Sequence, residues 1–180
     1  MTLTAANVRV PVTGIVAIGP TTAAAPTLTT SPITGFEDLG YVGEDGVTES
    51  RSTTTKPIKA WQNAATVRRV VTDGEYTLKF TLIESSKAAI EAYYGATATS
   101  AVAEGSIAVV PTSTGGNKSF IVDVVDGSEI KRIYVALGEI TERGEIAYKN
   151  GEAIGYPITI TGYPTETGES ATVFSTALKS

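Results

Sequence analysis

Residues 75–95 read EYTLKFTLIESSKAAIEAYYG, and the change of period inside them decides the fold. Leu78, Phe80 and Leu82 alternate with Thr77, Lys79 and Thr81, which is the period of a strand with one buried face. At Ser85 the alternation stops. Ser85 suits an N-cap, the following residues favour helix, and Gly95 can adopt the left-handed conformation that ends one. Ile90 with Tyr94, and Ala89 with Tyr93, lie four apart and form an apolar stripe over a helix of about 85–94. So short a helix is marginal alone in water and must dock on a sheet or on a neighbouring chain.

Outward from this stretch the chain supplies strands and hardly any other helix. Asp45-Gly46, Asp73-Gly74, Asp126-Gly127 and Asn150-Gly151 each stand between alternating segments, and such dipeptides suit tight hairpin turns. In EIKRIYVALGEITER the inward set is Ile133, Val135 and Leu137, then Ile140, so the phase slips at Gly138 and predicts a bulge or bend. Ile158 and Ile160 repeat the alternation near the C-terminus. These signals predict about eight to ten antiparallel strands, as a β-sandwich or squashed barrel with one flanking helix.

Two stretches stand apart. Residues 1–35 contain the short strand candidates VRVPV and GIVAI, then a Thr/Ala/Pro run at 21–35 that reads either as a linker or as an arm that orders on a partner. Residues 47–60 hold hardly any core candidate and are too long for a tight turn. They read as a surface loop or as an extended arm or wide hairpin reaching off the domain. Trp61, the single Trp, is expected at the base of that arm, as a core or rim aromatic where the chain rejoins the domain or as an interface residue.

Composition narrows the function. The 180 residues fit one domain, 1–180, and the absence of Cys and His removes disulfides, thiolate metal sites and Ser-His-Asp chemistry. With 14 basic and 19 acidic residues, the net charge of −5 has the wrong sign for wrapping nucleic acid. No basic run precedes an apolar core at the N-terminus, and no stretch reaches the length of a membrane helix. Ser128 and Lys131 have S-x-x-K spacing, but on a strand they face opposite ways, and the companion motifs are missing. Glu44-Asp45 and Asp73/Glu75 flank turns, and Thr114-Gly115-Gly116 lacks the Lys of a phosphate loop. No constellation supports catalysis, a cofactor or a metal. A structural assembly protein therefore leads over a β-sandwich binding module for receptor or carbohydrate. The binding module would favour an aromatic platform, whereas the eight Tyr are scattered.

The order DLGYVGEDGVTES, a polar arm, KAWQNAATVRRVVTD, TLKFTLIESSKAAIEAYYG and KRIYVALGEITERGEIAYKNGEAIGYPITITGY resembles the major tail proteins of long-tailed bacteriophages, from Phe36 to Tyr163. The resemblance implies a virion protein assembled in the bacterial cytoplasm, without enzymatic activity, whose hexameric rings stack into a hollow tail tube. DNA would pass through the lumen without specific binding, and a tape-measure protein, tail terminator and distal tail proteins would be partners. By position, Thr48, Glu49, Arg51, Thr54, Lys56 and Lys59 would belong to an inter-ring loop. Ile90, Tyr93 and Tyr94 would lie on a subunit-packing helix, and the termini, including 164–180, would add ring-to-ring contacts. Acidic side chains facing the lumen would keep DNA from sticking. Asp73, Glu75, Glu139 and Glu142 are the candidates.

Overall fold

The computed structural model describes residues 7–28, 34–100 and 104–178; the rest of the 21–35 stretch and the first six residues lie outside that description. Among the described residues, ten strands and one α-helix follow in order. They are β1 (Thr13–Gly19), β2 (Glu37–Asp38), β3 (Thr48–Lys59), β4 (Thr66–Leu82), α1 (Lys87–Tyr94), β5 (Thr99–Ser100), β6 (Gly105–Ser106), β7 (Lys118–Asp126), β8 (Glu129–Arg143), β9 (Tyr156–Gly162) and β10 (Thr172–Ser175). The main sheet runs β2-β1-β7-β8-β9-β4-β3, with β10 also on β8, and every pairing is antiparallel. The fold is mainly β with one helix, as the sequence predicts.

β8 organises the sheet because it serves two halves. Its first part pairs with β7 and β10, and from Gly138 onward it pairs with β9. The register with β7 shifts just before Gly138, where the sequence phase slips. A side chain at Gly138 would put its Cβ 2.8 Å from Phe120 and 2.9 Å from Val135, so the bend needs glycine. Val16, Phe120, Val122, Ile133 and Val135 from one half share a single core with Leu78, Phe80, Leu82, Ile140, Ile158 and Ile160 from the other. The sheet is therefore folded over its own apolar face, as in a sandwich, and the expected inward set holds except that Leu137 is only half-buried.

The helix closes one end of this core. Ser86, rather than Ser85, is the N-cap: its Oγ accepts from Ala89 N at 3.2 Å, while the Ser85 hydroxyl bonds the Tyr156 hydroxyl at 3.0 Å. Gly95 ends the helix at φ 63°, as expected. The small residues Ala88, Ala89 and Ala92 face the core and let the helix sit close, so Ile90, Tyr93 and Tyr94 are only half-buried at its margin. A second, smaller core of Ala17, Ile121 and Tyr134 lies on the other face of the first half, covered by Phe36 and Phe174.

The turn signals divide. Asp126-Gly127 makes the β7–β8 hairpin, with Asp126 opposite Glu129 and Gly127 at φ 60°. Asp73-Gly74 makes no turn. Both residues lie inside β4, opposite Thr54 and Thr53 of β3. A full-length partner strand is present there, so continuing the ladder satisfies the backbone groups that a turn would leave open. Asp45-Gly46 forms a turn within the edge of the sheet, since Val42 and Thr48 on either side of it both pair with β4. Asn150-Gly151 turns, but the EIAYK segment before it forms no strand. VRVPV likewise stays outside the strands, although Val12 N donates to Val125 O at 3.0 Å beside β7.

Candidate functional site

Residues 47–60 do not form a loose loop. β3 and the first part of β4 make a two-stranded ribbon, and its residues are exposed from Thr48 to Lys59. Pairing of β4 with β9 stops at Tyr76, so beyond Ser52 and Glu75 the ribbon has no other strand beside it. The nine residues from Ser52 to Ala60 project roughly 30 Å from the sheet at strand rise. The β-branched Thr, Val and Ile residues of the ribbon favour this extended conformation even without a core to bury.

Trp61 lies at the far end of the ribbon, not at its base, and is 98% exposed. The chain reverses through Gln62–Ala64, where Asn63 and Ala64 take φ 55° and 51°. The tip contains no glycine, which is why the sequence placed the reversal at Asp73-Gly74 instead. Around the tip, Ile58, Val67, Val70 and Val71 are also exposed. The register puts Lys56, Ile58, Arg68 and Val70 on one face of the ribbon, with Pro57, Arg69 and Val71 on the other. Each face thus combines cationic and apolar groups.

Charge is distributed unevenly. Residues 50–72 carry five of the 14 basic side chains and none of the 19 acidic ones, so the remainder holds nine basic against 19 acidic residues. This imbalance can be counted directly from the sequence; the strand alternation draws attention away from it.

The ribbon is tied down at its root. Glu49 accepts from Lys131 Nζ of β8 at 2.6 Å and from the Tyr76 hydroxyl at 3.0 Å. Burial alone would raise its carboxyl pKa, but these bonds outweigh it and hold the group below its ordinary value. Burial and the bond to Glu49 push the Tyr76 hydroxyl well up. Lys131 is therefore engaged with the arm, while Ser128 lies in the preceding turn.

The four acids singled out from sequence share one sheet face. Glu139, Thr161, Thr77 and Ser50 form one row across β8, β9, β4 and β3, and Glu142, Thr159, Lys79 and Thr48 form another. Asp73 and Glu75 continue the same alternation along β4. This is the face turned away from the main core, and Thr and Ser dominate it. Thr141 and Thr161 bond through their hydroxyls at 2.8 Å. Glu139 accepts from the Tyr163 hydroxyl at 2.8 Å, and bonds from Thr114 and Tyr163 hold its carboxyl below the ordinary range.

At the helix, Tyr93 donates to Gly144 O at 2.6 Å and packs edge-on to Tyr156 at 5.5 Å between ring centroids. Arg143 bonds the Tyr93 carbonyl and donates to Thr114 O at 2.7 Å, so the last turn of α1 is fastened to β8 and to the loop before β7.

The polar sheet face and the projecting β3–β4 ribbon are the two features that stand clear of the cores. A family model for phage tail tube proteins matches residues 1–180, and the chain belongs to that family. It is a structural component of a phage tail. No curated protein matches it.

Proposed function

We propose that copies of this chain close into rings, six to a ring, that stack into the hollow tube through which the phage delivers its DNA. The reading rests most directly on the β3–β4 ribbon. It extends roughly 30 Å beyond the last strand that supports it, at strand rise. A ribbon of this kind is marginal alone and gains stability when a neighbour covers it. Thr48, Glu49, Arg51, Thr54, Lys56 and Lys59 belong to the arm that bridges rings, and Trp61 is its leading residue rather than its anchor.

The face bearing Asp73, Glu75, Glu139 and Glu142 lines the lumen in this reading. A Thr-rich acidic surface repels phosphates and offers no clustered Lys or Arg to hold them. At −5 per chain, six copies carry a formal −30. Ile90, Tyr93 and Tyr94 stand at the margin between subunits of one ring. A tape-measure protein occupies the lumen during assembly, and terminator and distal tail proteins meet the two ends.

Negative-stain electron microscopy of the concentrated protein tests the reading. Rings or hollow rods support it. Monodisperse single subunits at millimolar concentration overturn it.

A further inference from the structure

A cleft of about 820 Å³ opens where the root of the arm meets β1 and the segment after β2. Among the described residues, Asp38, Glu44, Asp45 and Glu84 line it together with Asp123, whose charge is taken up by Arg132; no Lys or Arg lines it. Asp38 and Glu84 accept backbone N–H bonds from Gly40 and Tyr41 at 2.8 and 3.2 Å, which fixes the carboxylates without neutralising them. Exposed apolar groups stand beside them: Val12, Ile15 and Tyr41.

This is the counterpart of the arm. One surface joins four carboxylates to exposed aliphatic and aromatic groups. The other joins Lys56 and Arg68 to Ile58 and Val70 on one face of the ribbon, with Trp61 at the tip beyond them. An extended ribbon cannot return its tip to its own root, since the nine residues from Ser52 to Ala60 separate them by roughly 30 Å. We propose that the cleft receives the arm of a second copy of this chain, its basic residues against Asp38, Glu44, Asp45 and Glu84 and its apolar tip against Val12, Ile15 and Tyr41. The inference rests on the tube reading and adds to it the seat on the neighbouring subunit. Opposed charges fix the register of such a contact, and the apolar groups supply most of its area burial. Because every copy carries both halves and cannot satisfy itself, the contact propagates along an axis instead of closing.

The test uses charge exchange in the full-length chain, followed by sedimentation at physiological salt. Lys56→Glu/Arg68→Glu, and separately Glu44→Lys/Asp45→Lys, should raise the concentration needed for assembly by roughly tenfold or more. All four changes in one chain should bring it back toward the wild-type value. Circular dichroism checks that each variant is folded. A second measurement exploits the absence of Cys: Trp61→Cys with Tyr41→Cys should give a ladder of disulfide-linked multimers on oxidation. Assembly that survives the arm reversal, a four-fold variant no better than its parents, or assembled protein that yields no cross-linked ladder overturns the seat alone. A wild type that never assembles overturns the tube reading and the seat together.

Discussion

Arg132 and Asp123 stand opposite each other on β8 and β7 and meet through two parallel bonds, Nε to Oδ1 at 2.7 Å and Nη2 to Oδ2 at 2.6 Å. Both side chains are almost completely buried beside the smaller core, and Arg132 also bonds the Thr27 carbonyl. The pair fastens the segment before β2 over that face of the sheet. Removing one partner leaves a buried charge without its counter-ion. Asp123→Ala should therefore cost roughly 3–5 kcal/mol by chemical denaturation. A loss within the range of ordinary surface substitutions would show that the pair does not act as a buried unit.

The bend of β8 depends on the missing side chain at Gly138. A methyl there meets the buried Phe120 ring and Val135 from less than 3 Å, and neither can swing away into solvent. Gly138→Ala should destabilise the monomer by about 1–3 kcal/mol, measured by thermal or urea unfolding.

Stability and assembly should separate along β4. Leu78 is fully buried at the core end, whereas Val67 is exposed near the tip. Leu78→Ala should cost about 2–5 kcal/mol of folding free energy. Val67→Ala should change it by less than about 0.5 kcal/mol while weakening assembly, as seen by light scattering. An equal effect of the two on folding would place the ribbon against its own domain.

Acid should loosen the root of the arm. The Glu49 carboxyl is held below its ordinary value of 4.5, so its bonds add stability that is fully present above that value. That contribution is lost as pH falls through the lower, folded value. Stability of Glu49→Gln should accordingly decline less steeply than that of the wild type over the same acid range. Parallel profiles from urea titrations at each pH would contradict this.

Much of the fold was legible because local signals agreed. The alternation of Leu78, Phe80 and Leu82, the helix ended by Gly95, the Asp126-Gly127 hairpin and the break at Gly138 each follow from one residue's geometry and its neighbours. The errors fall where a distant partner decides. Asp73-Gly74 is extended because β3 supplies a ladder across from it, and Trp61 reaches the tip because that ladder continues past the apparent turn. The Asp123–Arg132 pair could not be read at all, since it depends on the register between two strands. Of the candidate site, the polar arm was visible, and the common face of the four acids emerges only from pairing across β3, β4, β8 and β9.

Trp61 gives the most direct test of the central claim that copies of this chain complete one another through the arm. It is the single Trp and is 98% exposed in the isolated subunit. On concentration into assemblies, its fluorescence should shift to the blue and become protected from a soluble quencher. Assembled particles in which Trp61 remains as accessible as in the monomer would contradict the account.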